Sequence, residues 1–319
     1  MRAIRLRTFG APAELRVEDT PEPELLPGTA LVEVAYANIT FIETQVRAGT
    51  GPFRPELPTI PGNGVGGVVR AVGAGLDPCL IGTRVVGSTG GSGGYAEVAL
   101  VSSDALYRVP DALALDAAVA VLADGRTAGL LIEAAAPEPG ERVLIEAAAG
   151  GVGSLLIQLA KAAGATVIAL AGGPRKTEVA TGLGADLAID YLDPAWPTGL
   201  DGPVHVVFDG VGGPIGRTAF EHLAAGGRIL TYGLAGGQWT AIPADEAAAR
   251  GVQVIRPTAG PDDLRRLTES ALRAAAEGTL RPLIGQRFPR ERAAEAHSAI
   301  EARDTIGKTL LFTGRAAAL

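Results

Sequence analysis

Residues that disulfide scaffolds and metal sites require are scarce in this chain. Its 319 residues include one cysteine, three histidines and only 4% aromatic residues. The single Cys79 excludes an intramolecular disulfide framework and is typical of a reducing cytoplasm, where we expect this protein. His205, His222 and His297 lie far apart without metal-ligand spacing, whereas a catalytic zinc needs about three protein ligands. The sequence therefore predicts no metal site.

An excess of basic charge and long apolar runs are also missing. The 28 Lys and Arg residues are outnumbered by 35 Asp and Glu, for a net charge of −7, which argues against nucleic-acid or anionic-membrane partners. Glu146, Gln158 and Lys161 interrupt the apolar stretches before they reach the length of about 20 residues that spans a membrane. An apolar content of 47% is that of an ordinary globular protein. A small molecule remains as the expected partner.

The pattern of elements changes along the chain. Residues 1–117 contain short β-type runs such as MRAIRL, ALVEVAYANI, GVGGVVRAVG, TRVVGS and YAEVALV, separated by Gly and Pro clusters. Residues 118–257 alternate apolar strands (RVLIEA, TVIALA, VVFDG, RILTYG, with VQVIRP as a candidate sixth element) with helical patterns (SLLIQLAKAAG, KTEVATGLGAD, GRTAFEHLAAGG). Such alternation indicates a parallel sheet covered on both faces. Residues 258–319 return to a helix and further strands.

We therefore predict an α/β fold in which a Rossmann domain is inserted into a β-rich domain. The Rossmann domain, a doubly wound parallel sheet, is expected over residues 118–257. The β-rich domain is expected to combine residues 1–117 with residues 258–319.

A glycine-rich stretch follows the first strand of the predicted Rossmann domain. In the fingerprint GxGxxG, the second glycine lets the backbone approach a pyrophosphate and the third lets the helix pack closely on the strand. Here Ala148 takes the first position, and Gly150 and Gly153 take the other two. A tight turn is the alternative, but the complete strand–helix–strand context favours a dinucleotide at a helix N-terminus. The residues expected to contact it are Ala149, Gly150, Gly151, Val152 and Gly153.

The acid that usually follows such a loop is absent. An NAD site places Asp or Glu near the end of the second strand, where it binds the adenine-ribose hydroxyls. Ala171 stands there, and GGPRK comes next. Arg and Lys at a solvated helix start are the alternative, but the helix dipole disfavours basic residues at that position. We predict NADP(H), with its 2′-phosphate near Gly172, Gly173, Arg175 and Lys176.

Two further turns are expected at the same edge of the sheet. In a doubly wound sheet the ligand crosses the carboxyl ends of the first and fourth strands. This predicts cofactor contacts at Asp209, Gly210 and Val211, and at Tyr232 and Gly233 after the fifth strand. Asp209 has an alternative role as a turn or helix-capping residue.

Several segments together resemble a known family. EAAAGGVGSLLIQLAKAAGA, FDGVGG, GGRILTYG, GGYAEVALV, ADGRTAGLL and IEARDTIGKTLLF are similar to the zinc-free quinone oxidoreductase branch of the medium-chain dehydrogenase/reductase superfamily, which includes zeta-crystallin. The resemblance implies a GroES-like catalytic domain, a Rossmann sheet in the order 3-2-1-4-5-6, and a homodimer with contacts around VQVIRP. It also implies that Thr127 lies near the nicotinamide, at the start of a domain-joining helix, and Tyr191 near the 2′-phosphate.

The resemblance also bears on zinc and on the acceptor. Thr40 falls at a cysteine ligand position of the zinc enzymes, and Asn63 at their histidine position, so the branch implied is zinc-free. In quinone reductases the positions of Thr40 and Gln45 often carry Asn and Tyr. Tyr36 has an alternative role in the core, and Tyr95 in strand packing. The expected catalytic residues are Thr40, Tyr36 and Asp124, and the expected substrate-pocket residues are Gln45, Asn63 and Tyr95.

The implied activity is direct hydride transfer from NADPH to a quinone or conjugated carbonyl compound. One alternative is an enoyl-thioester or enone double-bond reductase of a biosynthetic pathway, whose loop motifs are nearly the same. A second is a crystallin-like protein that binds NADPH with little turnover. The intact Gly150, Gly153 and basic pair favour an enzyme.

Overall fold

A computed structural model describes residues 1–318 of the chain. Its strands are β1 (Arg2–Leu6), β2 (Leu15–Asp19), β3 (Thr29–Ile39), β4 (Gly64–Val72), β5 (Arg84–Ser88), β6 (Val98–Ser102), β7 (Leu106–Arg108), β8 (Arg142–Ile145), β9 (Thr166–Ala171), β10 (Leu187–Asp190), β11 (Val204–Asp209), β12 (Leu223–Thr231), β13 (Gln253–Ile255), β14 (Ile284–Pro289) and β15 (Lys308–Phe312). Its helices are α1 (Phe41–Ala48), α2 (Leu115–Ala135), α3 (Gly151–Ala162), α4 (Pro174–Gly182), α5 (Gly213–Glu221), α6 (Ala244–Ala249), α7 (Pro261–Ala276) and α8 (Ala293–Glu301).

The chain divides into two units, each with its own sheet. Unit 1 comprises residues 1–123 and the chain from Thr268 onward, and unit 2 comprises Asp124–Leu267. The sequence pattern had placed the divisions at 117/118 and 257/258. The divisions of the structure fall inside the continuous helices α2 and α7. A change in hydrophobic pattern indicates where a helix begins. It does not indicate a domain boundary that falls within a helix.

Unit 1 is built on a seven-stranded sheet in the order β14-β15-β3-β4-β5-β7, with β6 also paired to β3. The long strand β3 pairs antiparallel with β4, β6 and β15. Residues 29–33 pair with β6 and residues 36–39 with β15, so the two strands share β3 without overlapping. Its alternating apolar residues, among them Val32 and Val34, are buried in one core cluster with residues of β1, β4 and α8. The predicted β-rich domain is thus confirmed, with a mainly antiparallel sheet.

Unit 2 is a six-stranded parallel sheet in the order β10-β9-β8-β11-β12-β13. In terms of this unit's own strands the order is 3-2-1-4-5-6, so the doubly wound fold is confirmed. Apolar residues of the strands and of α5, including Leu144, Val207 and Phe220, form its core. The carboxyl ends of β8 and β11 are adjacent, as a dinucleotide site requires.

Three local expectations were wrong. The helix predicted through GRTAFEHLAAGG ends at Glu221, because Leu223 pairs with Val204 and begins β12. The short strand β10 was not predicted, since its four residues are only half-buried and carry little apolar pattern. Thr127 lies well inside α2 and not at a helix start. The family resemblance implied a helix start at this position, but α2 already begins at Leu115, twelve residues earlier.

Among the helices of the described chain, none has both the length and the apolar character that a bilayer crossing demands.

The core of unit 1 contains several buried polar side chains. The Tyr95 hydroxyl and His297 Nε2 are 3.1 Å apart, and both side chains are completely buried. Arg47 is also buried, donates to the Gly10 carbonyl and is paired with Glu301. Burial, and secondarily the charge of Arg47, lowers the pKa of His297 to about 3. His297 is therefore neutral in the folded protein.

The depressed pKa of His297 predicts acid sensitivity. Between about pH 6.5 and pH 3 the unfolded chain takes up a proton at His297 that the folded chain does not, so stability falls with acidification, by at most about 1.4 kcal/mol per pH unit from this group. We expect His297→Gln, which can still hydrogen-bond Tyr95, to show a shallower decline. Urea unfolding at pH 7, 6, 5 and 4 measures it. Parallel curves for the two proteins would show that His297 does not contribute.

Candidate cofactor and acceptor sites

The glycine-rich loop joins β8 to α3 at the carboxyl edge of the parallel sheet. Ala147 has a φ of 48°, the left-handed region that costs an alanine about 1 kcal/mol. Ala148 at the first fingerprint position is buried. The tight turn therefore forms without a glycine there, because Ala147 adopts the unusual backbone conformation.

Two positions of the loop have no room for a side chain. A Cβ on Gly153 would lie 2.4 Å from the Ala147 carbonyl oxygen, so glycine permits the close packing of α3 on the turn. A Cβ on Gly151 would lie 1.9 Å from Asp124 Oδ2. Asp124 is buried against the start of α3, which places it beside the predicted phosphate-binding loop in unit 2. The loop has the open backbone and helix N-terminus that suit a pyrophosphate.

The end of the second strand is arranged around Tyr191. Ala171 is the last residue of β9, and its carbonyl accepts the Tyr191 N–H at 3.1 Å. A Cβ on Gly172 would lie 3.1 Å from the Tyr191 hydroxyl oxygen. The structure thus brings together Gly172 and Tyr191, two residues that were predicted separately.

A carboxylate does reach this region, but from the neighbouring strand. Asp190 ends β10, and its Oδ1 accepts the backbone N–H groups of Gly173 at 2.8 Å and Leu192 at 2.9 Å. Gly173 has a φ of 88° and precedes the first turn of α4. Asp190 therefore holds the turn, and the position that usually carries the ribose-binding acid remains Ala171.

The basic pair lies in the first turn of α4. Pro174 is the first helical residue, Arg175 is exposed and Lys176 is half-buried. The positive end of the helix dipole disfavours cations there. A bound phosphate would offset that cost, so the placement fits a 2′-phosphate beside Gly172 and Tyr191.

The turn after β11 closes the same edge. Asp209 is completely buried, and its Oδ1 accepts the Gly212 N–H at 2.8 Å. A Cβ on Gly210 would lie 2.6 Å from the Tyr232 hydroxyl oxygen, and one on Gly233 would lie 2.5 Å from the Gly210 carbonyl oxygen. The predicted cofactor turns at residues 209–211 and 232–233 are therefore in direct contact. Asp209 has the turn-forming contact that was its alternative role.

In unit 1, a buried carboxylate organises the candidate acceptor residues. Thr40 immediately precedes α1, and its backbone N–H donates to Glu43 Oε2 at 2.5 Å. The Thr40 hydroxyl donates to the same oxygen at 3.1 Å. The other oxygen, Oε1, accepts the Asn63 N–H at 2.8 Å. Glu43 therefore ties Thr40 to Asn63, the two positions that carry zinc ligands in the zinc enzymes.

The remaining acceptor candidates are dispersed in unit 1. Gln45 is half-buried on α1. Tyr36 is half-buried in β3 and packs against an apolar cluster that includes Val119 and Leu310. Burial, and then the charge of Asp116, raises the pKa of Tyr36. Its packing matches the core role that was its alternative.

Tyr95 does not fit the substrate-pocket role. It is completely buried, and its hydroxyl is in contact with His297. A side chain with no exposed surface cannot touch an acceptor, so the structure corrects this assignment in favour of the strand-packing alternative. The predicted pocket residues of unit 1 that remain partly accessible are Gln45 and Asn63.

Three acidic residues with structural roles were missed. Glu43 stands three residues after Thr40, and this spacing is a capping-box signal that sequence alone offers. Glu146 ends the apolar run RVLIEA, where a carboxylate is unusual. Asp190 lies in β10, which was not recognised as a strand. Within residues 1–318, no three or more His, Cys, Asp or Glu side chains are grouped so that they could hold a metal ion.

Known proteins resemble the chain over nearly its whole length. Residues 26–111 match the family "Alcohol dehydrogenase GroES-like domain", and residues 151–274 match "Zinc-binding dehydrogenase". The quinone oxidoreductase of Pseudomonas aeruginosa is 32% identical over 97% of this chain and 98% of that protein. Human quinone oxidoreductase is 31% identical over 98% of each chain.

Solved structures agree with these relatives. The Escherichia coli quinone oxidoreductase in complex with NADPH is 27% identical and superposes with a TM-score of 0.89 over 98% of this chain and 100% of that one. A mycobacterial protein in complex with NADPH is 30% identical, with a TM-score of 0.90 over 98% and 99% of the two chains. A GroES-like unit joined to a Rossmann unit defines the medium-chain dehydrogenase/reductase class. Within that class, the chain belongs to the quinone oxidoreductase family.

Proposed function

We propose that the chain is a zinc-independent, NADPH-dependent oxidoreductase that reduces quinones or conjugated carbonyl compounds. The cofactor assignment rests on two features of unit 2. The glycine-rich loop has positions with no room for a Cβ atom, and the first turn of α4 near Tyr191 carries the basic residues Arg175 and Lys176. The two NADPH-bound relatives support it. The zinc-independent assignment is supported by Thr40 and Asn63, which replace the ligand types of the zinc enzymes.

The residues of unit 2 suit separate parts of NADPH. The Gly150 N–H is used by the Ala147 carbonyl at 2.8 Å, so the N–H groups that follow it at the start of α3 would bind the pyrophosphate. Arg175 and Lys176 supply positive charge to the 2′-phosphate, and Tyr191 supplies a hydroxyl donor. The turns at 209–211 and 232–233, together with Thr127 on α2, are left for the nicotinamide half. NADPH supplies the hydride.

The acceptor assignment rests on the hydrogen bonds of Thr40. Its hydroxyl donates to Glu43 Oε2, so towards a ligand it offers a lone pair and no proton. A quinone suits this arrangement, because its electron-poor ring accepts hydride readily and water can protonate the product. An enone or enoyl thioester needs a donor on its carbonyl oxygen. Asp124, although a candidate, is buried against Gly151, and we assign it to the loop.

The first experiment compares NADPH with NADH against panels of quinones and of enones or enoyl thioesters, with and without a chelator. We expect quinone turnover that prefers NADPH and is indifferent to the chelator. Thr40→Val should change quinone turnover by less than about tenfold, whereas an enzyme that used Thr40 as a donor would lose about a hundredfold. Turnover confined to enones or thioesters would establish the alternative reductase. NADPH binding without turnover would support a crystallin-like role.

The basic first turn of α4 provides a second test. Each charge-assisted contact to phosphate contributes roughly 1.5–3 kcal/mol, so the double variant Arg175→Ala/Lys176→Ala should weaken NADPH binding by at least about tenfold. NADH, which lacks the 2′-phosphate, should bind with nearly unchanged affinity. Arg16→Ala, an exposed arginine in β2, is the control. Equal losses for both cofactors would contradict the assigned role and indicate damage to the fold.

We further propose a cytoplasmic homodimer. Strand β13 is an edge of the unit 2 sheet, and Val254 at its centre is 42% exposed. Trp239, 46% exposed, lies beside Arg256 just beyond the strand. An edge strand with exposed apolar side chains is a ready template for pairing with a second strand. Two copies of β13 would join the sheets of two protomers.

Charge on this edge should prevent that pairing. We expect light scattering to give the mass of a dimer for the unchanged chain and of a monomer for Val254→Lys. Ile81→Lys, at a position in unit 1 that is 51% exposed, should leave the mass unchanged. A monomeric unchanged chain, or a dimer that survives Val254→Lys, would refute the proposed interface.

A further inference from the structure

Two acidic side chains meet at the carboxyl ends of β8 and β11. Glu146 directly follows β8 and Asp209 ends β11, and the Glu146 N–H donates to the Phe208 carbonyl at 3.1 Å. Both side chains are completely buried. We call these two residues the carboxyl pair.

One oxygen of each carboxyl group holds the turn that follows β11. Glu146 Oε2 accepts the Val211 N–H at 2.9 Å, and Asp209 Oδ1 accepts the Gly212 N–H at 2.8 Å. These residues include the predicted cofactor turn at 209–211. The carboxyl pair therefore sets the position of that turn relative to the end of β8, from which the glycine-rich loop continues.

The other two oxygens lack donors. Within residues 1–318, no N–H or hydroxyl group donates to Glu146 Oε1 or to Asp209 Oδ2, and both atoms are buried. Two ionised carboxylates in this place would leave both oxygens unsatisfied and would repel each other. A single proton shared between the two groups satisfies both oxygens at once.

The surroundings supply further negative charge. Burial first, and then the neighbouring Asp209, raises the pKa of Glu146 well above its ordinary value. The pKa of the half-buried Tyr232 is raised by desolvation first, and then by the charges of Glu146, Asp209 and Asp124. Tyr232, which follows β12, therefore lies near the pair, and Asp124 of α2 lies near Tyr232. A second ionisation here would place another negative charge at the edge where a pyrophosphate is expected.

We infer that Glu146 is a positioning residue for the dinucleotide: its protonated carboxyl group donates to Asp209, and this bond holds the turn at 209–213 in the conformation that binds NADPH. The inference rests on the proposed NADPH site. Loss of the proton leaves two buried anions in contact, which displaces the turn. NADPH then binds only the protonated form, and binding above the pKa of Glu146 takes up one proton.

Glu146→Gln tests the inference because it copies the protonated form. Its amide NH₂ can donate to Asp209 Oδ2 while its carbonyl oxygen accepts from Val211. NADPH dissociation constants are measured from pH 6 to pH 10 for both proteins, so that titration of the ligand and of Lys176 cancels in the ratio of the two constants. We expect equal affinity at pH 6. Towards pH 10 the unchanged protein should weaken relative to Glu146→Gln, approaching about tenfold per pH unit.

Two variants and one control complete the design. Asp209→Asn can donate to an ionised Glu146, so it should also lose the pH dependence, and it serves if Glu146→Gln fails to fold. Glu146→Leu removes the hydrogen bonds and should bind NADPH at least about tenfold more weakly throughout the range. Glu277→Gln, at an exposed position of unit 1, should follow the unchanged protein. Calorimetry in two buffers measures the proton taken up on binding.

Cofactor-free unfolding separates the shared proton from its role in binding. A carboxyl group with a raised folded pKa contributes stability that is fully present below its unfolded pKa of about 4.3 and is lost as pH rises through the folded value. Glu146→Gln should lack this loss. If stability falls with rising pH but the ratio of dissociation constants does not change with pH, the positioning role is overturned. If neither the stability nor the ratio changes with pH, the shared proton is overturned. Failure of every variant and of the unchanged chain to bind NADPH would instead refute the cofactor assignment.

Discussion

The contact between Gly153 and the Ala147 carbonyl is the constraint on which the cofactor site depends. A Cβ at Gly153 would lie 2.4 Å from that oxygen, so only glycine lets α3 start directly against the turn. This contact sets the direction of the helix N-terminus and the exposure of its N–H groups. In the same turn, Ala147 adopts the left-handed conformation, and the buried Asp124 lies against Gly151. The nucleotide site therefore depends first on this close backbone contact, and the side chains add further contacts.

Much of the fold, together with the course of the glycine-rich loop, could be predicted from the sequence because both depend on repeated local patterns. The strand–helix alternation predicted the parallel sheet, and the glycine spacing predicted the loop. The alternation and the spacing are both patterns of residues that lie close together along the chain. The resemblance to a family supplied the strand order and the GroES-like unit, which no local pattern contains.

Most of the errors have a common physical cause, since they concern residues whose partners are distant in sequence. Tyr95 is buried because His297 lies against it, and nothing within the GGYAEV motif indicates this. The strand β12 begins at Leu223 because β11 pairs with it, although the local composition favours a helix. The pairing of Glu146 with Asp209 likewise joins residues that are distant in sequence. Glu43 is the exception, because its capping-box spacing from Thr40 could have been recognised.

The carboxylate of Asp190 has a consequence for how cofactor preference can change over evolutionary time. It takes the Gly173 N–H at the start of α4, so this amide is already used within the protein. In the proposed site, recognition of the 2′-phosphate then falls to the side chains of Arg175, Lys176 and Tyr191. Arg175 is exposed and Lys176 half-buried, whereas Tyr191 also packs against the core of unit 2. Under the proposed assignment, a lineage carrying this chain could exchange one nicotinamide cofactor for the other through substitutions in the first turn of α4, while the backbone of the nucleotide site stays unchanged.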